Sequence, residues 1–111
     1  MAIYFRTSKP KTLLATFKKA IDDGHVVTWS YDKDGDFTHT TTQWKNQAWL
    51  RPVPQTDSLK MTILKQKEKV MTSEVYAIYH GRFIEAMLRH CDQLFATVEA
   101  TALPDTGDHV S

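Results

Sequence analysis

Asp32, Asp34 and Asp36 put three carboxylates at alternate positions around Gly35, inside the stretch Trp29-Ser30-Tyr31-Asp32-Lys33-Asp34-Gly35-Asp36-Phe37-Thr38-His39. Clustered carboxylate oxygens are what a hard cation such as calcium takes. Read as an EF-hand loop from Asp32, the segment has acids at loop positions one, three and five. It then carries Phe37 where the obligatory glycine belongs and Gln43 where the bidentate glutamate belongs. Asp-Gly is also a strong hairpin-turn dipeptide, because a two-residue turn needs positive φ at its centre. The turn accounts for more of the segment than a cage does, and no metal or cofactor is expected.

Four other groups of residues could carry chemistry. Ser30, His39 and Asp32 have the types of a nucleophile, base and orienter, but Ser30 falls mid-strand, with no strained turn to expose its oxygen and no evident oxyanion donors. His80-Gly81-Arg82 is read as a strand-to-helix junction. Free N–H groups and a partial positive charge at the start of a helix favour an anion there, which makes these three residues the candidate ligand site. Lys65, Lys67 and Lys69, with Lys60 nearby and Trp44, Trp49 and Tyr76 in neighbouring segments, combine cations with stacking platforms, as single-stranded nucleic-acid binding requires. Glu68 interrupts that run, and lysines at a hairpin tip also discourage edge-to-edge aggregation. Cys91, the single cysteine, lies between Met87 and Leu94 on an apolar stripe and reads as a buried, inert thiol. No catalytic residue is assigned, and catalysis is left open with a lean against it.

The elements that must position these residues follow from periodicity. Leu13, Leu14, Phe17, Ala20 and Ile21 recur at three- and four-residue offsets after Ser8-Lys9-Pro10, which predicts a helix over 10–23 that Gly24 ends. Residues 25–31 and 37–42 read as two strands, and a tight Asp34-Gly35 turn pairs Tyr31 with Thr38 and Trp29 with Thr40. That register turns Val27, Trp29 and Tyr31 to the core, and Phe37 and His39 to the wet face. Residues 48–55 form a third strand. Pro52 and Pro54 remove N–H groups from one of its edges, so it is an edge strand or pairs with the second strand through its first half only. Residues 59–66 make a fourth strand and 73–80 a fifth. Gly81 then separates the fifth strand from a helix over 82–99, with Phe83, Met87, Cys91, Leu94 and Val98 on one face. The resulting fold is α+β, a two-layer sandwich with an N-terminal helix, about five mostly antiparallel strands and a C-terminal helix, both helices on one sheet face. Residues 1–102 form a single domain and 103–111 a disordered tail.

Composition excludes several classes. The 111 residues carry 14 Lys plus Arg against 13 Asp plus Glu, so no global field recruits nucleic acid or anionic lipid. No apolar run approaches the roughly 18 residues of a membrane span, no signal peptide opens the chain, and the cytoplasm is the expected location. Leu103-Pro104-Asp105-Thr106-Gly107 matches the LPxTG pattern that sortases cut, yet the export signal and the hydrophobic, basic tail that this processing needs are not found around it.

The segments 29–39, Ala48-Trp49-Leu50-Arg51-Pro52 and Tyr76-Ala77-Ile78-Tyr79-His80-Gly81-Arg82-Phe83 are similar to small bacterial proteins without assigned activity. The resemblance runs from the first helix to the last and implies a free-standing bacterial domain, with no site residue to carry over. The function expected is that of a small non-enzymatic binding or interaction protein, self-associating as a homodimer or joined to another protein. A small-ligand or enzyme domain at His80, Gly81 and Arg82 is the first alternative, and a nucleic-acid binder through the Lys65–Lys69 turn the second.

Overall fold

The structure, a computed structural model, describes residues 1–111. Its elements run β1 (Ile3–Arg6), α1 (Pro10–Asp22), β2 (Trp29–Tyr31), β3 (Phe37–His39), β4 (Ala48–Pro54), β5 (Ser58–Lys65), α2 (Ser73–Cys91), a 3-10 turn (Asp92–Leu94) and β6 (Thr97–Ala100). All six strands join one antiparallel sheet in the order β2-β3-β4-β5-β1-β6. Both helices pack on one face of it, giving the α+β architecture that two apolar helix faces demand.

Alternation sets that face. Ile3, Phe5, Trp29, Phe37, Leu50, Leu59, Met61 and Ile63 are buried on it and meet Leu13 and Phe17 of α1 and Tyr79, Phe83 and Met87 of α2. Phe83 is the hub, with ring centroids 5.0 Å from Trp29, 5.1 Å from Phe17, 5.6 Å from Phe37 and 6.0 Å from Phe5. Each such side chain contributes about 1.5–3 kcal/mol through its transfer from water. Leu50 belongs to this core; Trp44 is buried as well, while Trp49 is half-buried on the outer face.

Helix α1 matches its expected span, although Ser8 does not cap it; the cap position falls to Lys9. Gly24 ends it at φ +79°, letting the amides of His25 and Val26 return to the Ala20 carbonyl. Helix α2 corrects the expected strand at 73–80. It starts at a Thr72 cap, whose hydroxyl accepts from the Val75 amide, and passes through Gly81 without a break. An exposed glycine in a helix costs about 1 kcal/mol. Tyr79, Phe83, Met87 and Cys91, four residues apart across it, bury far more than that returns. The helix ends at Cys91, and residues 97–100 leave it to become β6, pairing with β1. β1 and β6 are four-residue strands paired with each other, and the sequence reading has no strand at either place.

The prolines act as expected. Gln55 donates to Ser58 O, and by parity the odd-numbered residues of β4 face β5, so Pro52 and Pro54 turn their nitrogens toward β3. β3 pairs with β4 in the ladder only at Phe37–Leu50. Beyond Leu50 that edge, at Pro52 and Pro54, offers carbonyls and no donors.

The segment 103–111, for which the sequence predicts fraying, crosses the sheet's outer face as a strap. His109 takes the place beside β5 that β1 is too short to fill: its amide donates to Ile63 O at 2.9 Å, and its carbonyl accepts from Lys65 N at 2.8 Å. Asp108, with a fully buried side chain, accepts from Ile63 N at 2.9 Å and Asp105 N at 2.8 Å, and lies 3.6 Å from the Met1 ammonium. Asp105 hydrogen-bonds Tyr4 Oη and faces Lys60 Nζ at 3.6 Å. These contacts bury Lys60 and Thr62.

Candidate functional site

The hairpin decides which groups meet. Its register pairs Trp29 with His39 and Tyr31 with Phe37, one residue away from the expected pairing. The loop is Lys33-Asp34-Gly35, closed by Asp32 N donating to Asp36 O at 3.0 Å, with Gly35 at φ +83°. This is the three-residue loop in which a type I turn is followed by a left-handed residue. Because side chains alternate, one residue of slip exchanges the faces. Phe37 and His39 therefore enter the core, and Ser30 stays outside opposite Thr38. Ser30 and His39 lie on opposite faces and form no catalytic group.

The three carboxylates have separate tasks. Asp32 Oδ1 accepts the amides of Asp34 at 2.9 Å and Asp36 at 3.0 Å, which holds the turn. Asp36 is buried and takes both arms of Arg51, Nε to Oδ1 at 3.0 Å and Nη2 to Oδ2 at 2.8 Å. Asp34 is exposed. No three His, Cys, Asp or Glu side chains converge in a way that could hold a metal ion.

His39 is the best-defined polar group in the core. Its ring stacks on Trp29, 4.7 Å between centroids at 14°, and it is 2 % exposed. Nδ1 lies 2.5 Å from the Thr28 carbonyl, which can only accept, so Nδ1 carries the proton. Nε2 is then a lone pair and accepts from Arg82 Nη1 at 3.1 Å. Burial pushes the His39 pKa down and the Arg82 charge adds to this, while the Thr28 carbonyl opposes it. A neutral histidine thus orients an exposed arginine. Arg82 and Arg89 have no carboxylate within ion-pair distance, and Glu85, between them on α2, has no cation within that distance. Thr28 also lines a depression of about 200 Å³ between the α1–β2 loop and α2, together with His25, Glu85, Arg89 and His90.

The niche expected at His80-Gly81-Arg82 rests on a junction that does not exist. These residues lie in the second and third turns of α2, where backbone amides are already bonded within the helix. His80 faces inward, 5 % exposed, against the Tyr76 ring, and neither ring nitrogen has a partner of hydrogen-bond geometry. Its pKa is lowered chiefly by burial; the Met1 and Tyr76 backbone and Asp108 offset this in part, and the Met1 ammonium reinforces it. Only Arg82 of the three reaches solvent beside a polar partner. The partner, His39, is 43 positions away and was assigned to the wrong face. Four-residue spacing from Tyr79 to Cys91 across Gly81 was the signal that could have found the arrangement.

Lys65, Lys67 and Lys69 do not form one surface. Lys65 is half-buried at the end of β5, while Lys67 and Lys69 are exposed in the following turn, on either side of Glu68 at φ +65°. Lys65 and Lys69, with Gln47, Gln66 and Thr72, surround a depression of about 180 Å³ in front of the real start of α2. Cys91 is buried, and desolvation pushes its thiol up to about 11.

Comparison with protein-family models, with curated proteins and with solved structures returns no match for this chain. No helix is long and apolar enough to cross a membrane.

Proposed function

We propose that this protein is a non-enzymatic interaction module that self-associates by pairing the β6 strands of two copies. The observation that carries the reading is the state of the sheet's edge. Thr101 N donates to Ala2 O, so in the β1–β6 register the odd residues of β6 face β1, while Val98 and Ala100 direct their N–H and C=O groups outward. An unpaired strand edge is a template for another strand. Neither proline nor unpaired charge blunts this four-residue strand: β6 contains no proline or lysine, and its single charge, Glu99, is matched within the chain by Arg6 at 2.6–2.9 Å. The incomplete pairing along β4 cannot serve in the same way, because Pro52 and Pro54 leave it without donors.

The arrangement of the reactive groups supports a binding role over a catalytic one. Both nitrogens of His39 are engaged, and the Cys91 thiol is desolvated. Ala100→Pro tests the reading, because it removes an outward donor and leaves the β1 ladder intact. Sedimentation equilibrium should give a dimer for the native chain and a folded monomer for Ala100→Pro. A native chain that stays monomeric at high concentration would sink the proposal.

A further inference from the structure

We infer that Arg82, held by His39, binds a small oxyanion, a carboxylate or phosphate group, on the exposed face of α2 beside the depression lined by Thr28, Glu85 and Arg89. The inference goes beyond β6 pairing and does not depend on it.

Arg82 spends one donor on His39 Nε2, 3.1 Å away, and its charge is left uncompensated. A guanidinium has five donors in a planar fork that matches two oxygens of a carboxylate or phosphate. An arginine on a helix surface normally loses side-chain freedom when it binds. Here part of that freedom is already gone. His39 is immobilised by its stack on Trp29 and by the Thr28 carbonyl, and it presents a lone pair in a fixed direction. Such an acceptor orients a cation without neutralising it, whereas a carboxylate in the same place would cancel the charge.

The surroundings extend the site. Thr28 ties His39 to the wall of the depression of about 200 Å³, and Glu85 stands one helical turn from Arg82 and lines the same wall. Arg89 follows seven residues after Arg82, on the same stripe and roughly 10 Å along the axis. It lines the depression and is likewise without an ion-pair partner. His25 and His90 complete the polar wall. Glu85 is the one carboxylate there, so the site favours a small anion that reaches the guanidinium and disfavours a dense polyanion that would lie along the whole stripe.

The test is titration of the native chain with sodium succinate and, separately, with inorganic phosphate, at constant ionic strength held with chloride. Amide and arginine Nε resonances report binding. Saturable shifts at Arg82 Nε and Thr28 are expected with at least one probe. Arg82→Gln should weaken that binding about ten- to hundred-fold, as loss of a charge-assisted pair does. Arg82→Lys should recover only part of it, since the charge returns without the fork. An unchanged amide spectrum away from α2 certifies that the variants fold. The His39 ring nitrogens should show the neutral tautomer protonated at Nδ1, the state that leaves Nε2 free to accept from Arg82. Equal shifts in Arg82→Gln, no saturable shift with either probe, or a His39 ring protonated at Nε2 would each overturn the assignment.

Discussion

The two faces of the sheet are buried by opposite means. The inner face is covered by two helices through apolar contacts gathered around Phe83. The outer face is covered, over β1 and β5, by a strap whose contacts are carboxylates, backbone amides, a phenol and a lysine. Apolar burial is non-directional and scales with area, so many sequences could produce the first arrangement. Polar burial succeeds only if each donor finds its acceptor, because an orphaned group costs its full desolvation. The strap meets that condition through Asp108, which answers two amides at once.

The contrast can be broken at its strongest point first. Phe83→Ala should destabilise the fold by about 3–5 kcal/mol, the range for a large aromatic removed from a rigid core. Urea denaturation followed by tryptophan fluorescence would report it through Trp29, 5.0 Å from the ring. A cost below about 2 kcal/mol would mean that the core collapses easily around the gap, and the hub description would fail.

Asp108→Ala should cost less, about 1–3 kcal/mol, by leaving the Ile63 and Asp105 amides without acceptors. Its effect should also be local. Hydrogen exchange should accelerate at Ile63, His109 and Lys65, whose amides hold the strap, while amides within α2 keep their protection. If α2 amides lost protection equally, the two faces would be one cooperative unit and the comparison would dissolve.

The smallest effect has the opposite sign. Gly81 lies exposed within α2, and a methyl group there would meet nothing within 4 Å. Gly81→Ala should stabilise the protein by up to about 1 kcal/mol, raising Tm by roughly 4–8 °C. A loss of stability would indicate a backbone at residue 81 other than helical, and the continuous α2 would have to be abandoned.

Local patterns disclosed one layer and concealed the other. Helix α1 was legible because its apolar stripe, its proline and Gly24 all agree. The donor-free edge of β4 was legible because a proline lacks its N–H in any fold. The hairpin was legible as a turn at Asp34-Gly35, yet two- and three-residue loops share that dipeptide, and the choice between them exchanges the faces. Tyr76, Ile78 and Gly81 misdirected the reading of α2, because β propensity is a weak prior that tertiary packing overrides. The candidate site was half visible: Arg82 was singled out, but its partner His39 was placed on the wet face.

The amino-acid order by itself determined an α+β domain with an amphipathic first helix, a turn at Gly35 and a crippled edge at Pro52 and Pro54, because each of these depends on the covalent properties of neighbouring residues. Packing alone decided that His39 points inward to hold Arg82, and that Lys60 and Thr62 lie beneath the strap. These pairings join residues 43 and 45 positions apart, and only the closure of the whole sheet brings such distant groups within the few ångströms over which hydrogen bonds and ion pairs act.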